Sequence, residues 1–138
     1  KFARKFYEAV KSGQLAEVKK HIITPAEFNP IIDAATFAPE KKVSMKNKLT
    51  QEFYDKLTLA NFNEVQEHVK RDSINWATAV IDSVVTKRDM IEGMDVMKLK
   101  VHFTSNKKQY AVSATKVVKT ANGWKLSNGY HVNPKSKS

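Results

Sequence analysis

The feature that most constrains the fold is a stretch of alternating apolar and polar residues between positions 74 and 132. Apolar side chains recur at every second position along it, which is the period of a β-strand with one buried face. Polar segments interrupt the stretch at 105–108 and at 121–123, where Asn-Gly accepts the positive φ of a hairpin turn. A bend is predicted at 128–129. The pattern therefore predicts a meander of four antiparallel strands.

The predicted strands differ in how their two faces are covered. In the second strand, Leu99, Val101 and Phe103 point inward and the residues between them point outward. The first strand is predicted to begin at Ile74. Both of its faces carry apolar residues, so we expect it to be covered on both faces. A turn region is predicted over 87–93, between these two strands.

The first 70 residues or so carry helical periodicity. Apolar residues at spacings of three and four predict helices over 2–10, 14–23 and 44–71, with Thr50 as an alternative start of the last one. Residues 24–48 contain three prolines and are predicted as a loop with one helical turn. Helices followed by strands, without alternation, predict an α+β fold. In it, N-terminal helices pack on a curved four-stranded antiparallel sheet.

The length of 138 residues predicts a single domain over 1–133, with 134–138 as a disordered tail. No apolar run approaches the roughly 20 residues of a membrane-spanning helix. The chain has no cysteine, which excludes disulfides, thiolate metal sites and cysteine nucleophiles. It begins with Lys1 and not with Met, which is compatible with a leader or anchor that was removed before this residue. The expected location is exported, periplasmic or at the cell surface, with a cytoplasmic location as the alternative.

The net charge of +10 is concentrated in the strand half of the chain, where residues 71–138 hold 12 Lys and Arg against 5 Asp and Glu. The residues expected to form an outward basic face are Lys98, Lys100, His102, Lys116 and Lys125. Such a face attracts anionic surfaces. The alternative is a solvated lysine surface, because only three of the basic residues are arginines. Nucleic-acid binding is not expected, because no exposed aromatic residues alternate with the lysines.

Residues 6–20 have the pattern of a helix, a glycine break and a second helix, and residues 120–127 (TANGWKLS) that of a closing hairpin. With a central strand at 97–105, these segments resemble the nuclear-transport-factor-2-like (cystatin-like) superfamily, and within it small bacterial secreted or lipoprotein domains of unknown function. The resemblance implies a cone in which helices and a bent sheet enclose an apolar pocket. It also implies homodimers that pair through the open face of the sheet.

The resemblance also bears on chemistry, because enzymes of this superfamily use Asp or His with Tyr inside the cone. The corresponding strand residues are Asp82, His102 and Tyr110, with Trp76 and Phe103 as apolar pocket walls. Asp82 shares the alternation of Trp76, so it would be a half-buried base with a raised pKa. The alternative is that the alternation breaks there and Asp82 is solvated.

No metal site or cofactor is predicted, because the four histidines are scattered without ligand spacing. We therefore expect a non-enzymatic, exported binding or assembly module with an apolar pocket and a basic sheet face, acting as a homodimer. One alternative is a small-ligand-processing enzyme of the same fold, isomerase- or dehydratase-like, that uses Asp82 and Tyr110. Another is a component of an envelope or secretion complex.

Overall fold

The structure is a computed structural model that describes residues 1–134 of the chain. It contains five helices followed by five strands. The helices are α1 (Phe2–Lys11), α2 (Leu15–Lys19), α3 (Pro25–Ala34), α4 (Pro39–Lys48) and α5 (Gln51–Arg71). The strands are β1 (Val80–Ile91), β2 (Met94–Ser105), β3 (Lys108–Thr120), β4 (Gly123–Leu126) and β5 (Tyr130–Pro134).

The strands form one antiparallel sheet in the order β1-β2-β3, and both β4 and β5 pair with β3. β4 pairs with the end of β3 and β5 with its beginning, so the fourth strand is divided into two at the predicted bend. The predicted α+β fold, with N-terminal helices before an open, curved antiparallel sheet, is confirmed.

The prediction of a loop over 24–48 is wrong, because this region forms α3 and α4. Pro25 and Pro39 each lie in the first turn of a helix, where the missing N–H has no intrahelical partner to lose. Thr24 begins α3 with a capping box: its hydroxyl accepts from the Glu27 N–H, and the Glu27 carboxylate accepts from the Thr24 N–H. Pro25 and Pro39 therefore mark helix starts, whereas Pro30 lies inside α3.

The first strand begins later and runs further than the sequence pattern predicts. Trp76–Thr78 forms a 3₁₀ turn, so the strand does not begin at Ile74. It continues through 87–89, within the segment predicted as a turn. The actual turn consists of Glu92 and Gly93, whose φ values of 51° and 81° give the tight left-handed connection of a two-residue hairpin.

β1 is also far less covered than predicted. Val80 and Val85 are 65% and 52% exposed. Ile81 and Val84 pack against the core, which places the helices on one face of this strand only. β1 is an edge strand of the sheet, so it has a neighbouring strand on one side alone.

The main core lies on the face of the sheet that α1 covers, which we call the inner face. At its centre, Phe103 is fully buried, and its ring centroid lies 5.6 Å from that of Tyr7 and 5.1 Å from that of Trp76. Val96 and Val118 point to the opposite, outer face, where α3 and the start of α5 cover them in a second cluster. The helices thus cover only one end of the outer face.

The edge of the sheet opposite β1 is occupied by the segment after α2. The Ile23 N–H donates to the Leu126 carbonyl (2.9 Å), and the Leu126 N–H donates to the His21 carbonyl (2.8 Å). Next to it, the Tyr130 N–H donates to the Asn61 side chain on α5 (2.7 Å). Among residues 1–134 no strand pairs with the side of β1 that faces away from β2, so β1 is a long open edge of the sheet.

The end of the described chain falls within the sheet. Pro134, which the sequence assigns to a disordered tail, is the last residue of β5, and the rest of that predicted tail (135–138) lies outside the described residues. None of the helices in residues 1–134 is both long and apolar enough to span a membrane.

Candidate binding surface on the outer face of the sheet

Three exposed lysines lie close together on the uncovered part of the outer face. Lys98 and Lys100 are two residues apart on β2, and Lys87 on β1 stands directly opposite Lys98. No salt bridge involves any of the three within residues 1–134. Like charges directly opposite each other destabilise a strand pair. We call these three residues the lysine patch; its positive charge has no internal partner in the described chain.

A shallow depression of about 250 Å³ lies within the lysine patch. Val85 on β1 and Ser113 and Thr115 on β3 also border it, and its accessible lining is almost entirely apolar. β3 bulges here, with three residue steps from 114 to 117 against two on β2, from 97 to 99. The apolar stems of the lysines form the hollow, and their three ammonium groups together attract an anionic partner.

Lys125, which the sequence places on this basic face, lies at the covered end instead. Its Nζ donates to the Lys20 carbonyl (2.8 Å) and lies 3.8 Å from the Glu27 carboxylate. Its side chain is only 19% exposed. The start of α3 therefore neutralises Lys125, and it does not add to the lysine patch.

The remaining predicted basic residues differ in their placement. His102 is half-buried on the outer face beyond Lys100, and its Nδ1 has no hydrogen-bond partner within residues 1–134. Lys116 is half-buried at the β3 bulge, where its carbonyl accepts from the Ser127 N–H. The sequence interpretation misses Lys87, because it assigns residues 87–89 to a turn. Continuing the two-residue period from Val85 would have found it.

Of the two predictions for Asp82, the solvated residue at a break in the alternation is confirmed, and the half-buried base is wrong. Asp82 is the extra residue of a bulge in β1, because Ile81 and Ser83 pair with consecutive residues of β2. The bulge breaks the alternation on which the prediction rests. Asp82 is exposed, and it accepts a hydrogen bond from the hydroxyl of Thr104 (2.6 Å), which alternates with buried inner-face residues.

Trp76, Phe103 and Tyr110 pack against one another in the inner core. The rings of Phe103 and Tyr110 stack with centroids 5.5 Å apart, and the Tyr110 hydroxyl donates to the Asp72 carbonyl (3.3 Å). Burial, followed by the negative charge of Asp72, raises the pKa of Tyr110. Tyr110 belongs to the core and Asp82 to the outer surface, so the structure does not bring them together as an acid–base pair.

An apolar pocket of about 460 Å³ lies on the inner side of the sheet, at the N-terminal end of α1. Its apolar walls come from Phe2, Val84, Met97 and Trp124, and Lys1 and Arg4 also line it. This pocket contains none of the four residues predicted to bind an apolar ligand, which lie around the opposite end of β1.

The Tyr7 hydroxyl is buried in the core without a hydrogen-bond partner within residues 1–134. Burial, with smaller contributions from the carboxylates of Glu8 and Asp82, raises the pKa of Tyr7 to about 12. An unpaired buried polar group costs free energy, so this hydroxyl reduces the stability of the core.

Replacement of Tyr7 by Phe is expected to leave the free energy of unfolding unchanged or to raise it by about 1 kcal/mol at pH 7, because it removes the unpaired hydroxyl. In the wild type, Tyr7 ionises with the ordinary tyrosine pKa of 10.0 when the chain is unfolded, whereas folding raises this pKa to about 12. The contribution of the raised pKa to the free energy of unfolding is therefore complete below pH 10 and is lost as the pH rises above it. The free energy of unfolding of Tyr7→Phe should fall less steeply over this range.

Urea unfolding at pH 7 and at alkaline pH tests this expectation. Tyr110→Phe is the matched control, because it removes a paired hydroxyl and should lose about 1 kcal/mol at pH 7. A larger loss for Tyr7→Phe than for Tyr110→Phe would show that the Tyr7 hydroxyl is satisfied.

Within residues 1–134, no three His, Asp or Glu side chains are placed to hold a metal ion together. The fold and the surface define an open-faced α+β domain with an accessible basic patch on its sheet. Comparisons with protein-family models, with curated proteins and with solved structures found no match. The function is therefore argued from the geometry of this chain.

Proposed function

We propose that the protein is a non-enzymatic binding module that attaches through the lysine patch to a phosphate-bearing anionic surface. The observation that carries the proposal is the set of three exposed lysines that border one hollow and form no ion pair within residues 1–134. A bound phosphate group would offset the repulsion between Lys87 and Lys98, which nothing else in residues 1–134 offsets. Binding would therefore relieve a local instability of the β1–β2 pair.

The wider setting of the proposal is an exported domain of the nuclear-transport-factor-2-like kind. The resemblance of residues 6–20 and 120–127 motivates this part of the proposal, and an α+β fold with helices before the sheet is the architecture that the resemblance implies. An exported module meets lipid headgroups and phosphate-bearing polymers at the cell envelope. Both carry the phosphate groups that the lysine patch would bind. Electrostatic attachment of this type weakens as salt is added, because exposed charges are screened.

Replacement of Lys98 and Lys100 together by Gln is expected to weaken binding to phosphatidylglycerol vesicles roughly 10- to 30-fold, since each lysine near an anionic membrane contributes about 1 kcal/mol. The measurement is co-sedimentation at low salt, with phosphatidylcholine vesicles as the neutral reference. Lys107→Gln with Lys108→Gln is the matched control, because it removes the same charge from the exposed β2–β3 hairpin.

The outcomes separate the patch from the overall charge of the chain. An equal loss for the two double variants would overturn the proposal, because only net charge would then matter. Soluble polyphosphate is the second probe: binding to it as well as to vesicles identifies the phosphate group itself as the ligand. Binding to vesicles alone identifies a membrane surface. Binding of wild type to neither at low salt would exclude the function proposed here.

A further inference from the structure

The open edge of the sheet has one regular and one irregular part. Bulges protect edge strands from pairing, and the bulge at Asp82 interrupts the start of β1. From Ser83 to Ile91, β1 keeps an unbroken register with β2. No Pro interrupts this part of the strand, so its free backbone groups can accept another strand.

β1 also concentrates the exposed apolar surface of the described chain. Residues 1–134 contain six exposed large hydrophobic side chains, and four of them belong to β1. Three of these four lie in its regular part: Val85 (52% exposed), Met90 (63%) and Ile91 (42%). Exposed apolar side chains on an unpaired edge are the mark of a strand that pairs with another chain.

The outward side chains of the regular part are complementary to themselves in the reverse direction. After Ser83 they follow the order Val85, Lys87, Asp89 and Ile91. Two copies can pair antiparallel with Arg88 opposite Arg88. Val85 of each copy then faces Ile91 of the other, and Lys87 of each copy faces Asp89 of the other. Neither Lys87 nor Asp89 forms an ion pair within residues 1–134.

We propose that a second copy of this chain pairs with β1 in this antiparallel register and joins the two sheets into one. The two-fold axis passes between the two Arg88 residues, whose side chains lie on the inner face. Each Arg88 is already bonded to Asp95 (2.8 Å) and lies over the Trp124 ring (5.2 Å to its centroid), so its charge is largely matched. Opposite-charge and apolar cross-strand pairs then stabilise the outer face.

The Met90 N–H would exchange its hydrogen-bond partner when the strands pair. The Met90 N–H donates to the carboxylate of its neighbour Asp89 (2.8 Å). In the paired strands Met90 faces Thr86 of the second copy, and the Asp89 carboxylate becomes the partner of Lys87. A contact of about seven residues per chain is small for a protein interface, so we expect association in the micromolar range.

The pairing also brings the two copies of Lys98 and Lys100 to the same side of one continuous sheet. Lys87 belongs to both surfaces, and in the dimer its charge is paired with Asp89 of the second copy. Lys98 and Lys100 stay free in the dimer, so the vesicle test, which changes only these two, and the dimer test, which changes Lys87 and Asp89, can fail separately.

Charge exchange tests the dimer, with sedimentation velocity over a concentration series as the measurement. Lys87→Glu alone sets Glu against Asp89, and Asp89→Lys alone sets Lys against Lys87, so each single variant should be monomeric. The two single variants mixed in equal amounts should associate, because both charge contacts of the mixed pair are then between opposite charges. The double variant should also dimerise, and Lys107→Glu, which carries a charge reversal on the hairpin, should behave as wild type.

Three results would overturn the proposal: a wild type that is monomeric at the highest concentration, single variants that dimerise as wild type does, or no association on mixing. A dimer that is lost in the Lys98 and Lys100 double variant but not in the β1 variants would place the contact on the sheet face instead. Circular dichroism of each variant confirms that the fold is retained.

Discussion

Replacement of Phe103 by Ala is expected to lower the free energy of unfolding by about 3–5 kcal/mol. Phe103 is completely buried, and its ring contacts Tyr7, Trp76 and Tyr110, which belong to α1, the turn before β1 and strand β3. Removal of the ring leaves a cavity that three different elements would have to close. Domains are typically stable by only about 5–15 kcal/mol, so a large part of the stability is at stake.

Urea unfolding followed by tryptophan fluorescence measures this loss, because Trp76 reports on the same cluster. Phe37→Ala is the matched control: the same atoms are removed from a half-buried ring beside Lys41, and we expect a loss of about 1 kcal/mol. Equal losses for the two variants would mean that the Phe103 cluster is not the centre of the core.

Replacement of Glu27 by Ala is expected to cost about 2–4 kcal/mol, through the loss of a helix cap and of charge-assisted hydrogen bonds. The Glu27 carboxylate accepts from the Thr24 N–H (3.0 Å) and the Asn122 amide (2.9 Å), and it lies 3.8 Å from Lys125 Nζ. It thereby joins the start of α3 to the β3–β4 turn. Glu17→Ala is the control, because the exposed Glu17–Lys20 pair should contribute less than about 0.5 kcal/mol.

The contribution of Glu27 should depend on pH. Burial alone would raise the pKa of Glu27, but the hydrogen bonds from Asn122 and Thr24 and the charge of Lys125 outweigh it and lower the pKa below 4.5. The stabilisation is therefore present above pH 4.5 and is lost as the pH falls through the folded pKa. The difference in unfolding free energy between wild type and Glu27→Gln should shrink at acid pH, and a difference independent of pH would contradict this account.

Local periodicity is sufficient to predict the elements in which the apolar residues keep a regular helical or strand spacing. The alternation of Leu99, Val101 and Phe103 correctly predicts the inner face of β2, and the helical spacing from Phe2 to Val10 predicts α1. Thr50 does begin α5, as its side chain accepts from the Phe53 N–H. These signals are local, so they can be obtained from the sequence.

The errors of the sequence-based prediction arise where the same residue type is compatible with two local structures. A proline ends one helix or begins the next, and only the capping box formed by Thr24 and Glu27 decides between these roles at Pro25. The bulge at Asp82 has no sequence signature of its own and reverses the facing of the residues around it. Of the lysine patch, Lys98 and Lys100 could be predicted, while Lys87 required the true end of β1.

The bond between the segment after α2 and strand β4 limits how this protein can assemble. Because His21 and Ile23 already satisfy Leu126, β4 is not available to pair with a further strand. Association of two copies through β1 in a self-complementary register occupies β1 in both copies and forms a closed symmetric pair. A variant that released the segment 21–23 from β4 would expose a second edge, and growth into an open-ended filament would then become sterically available.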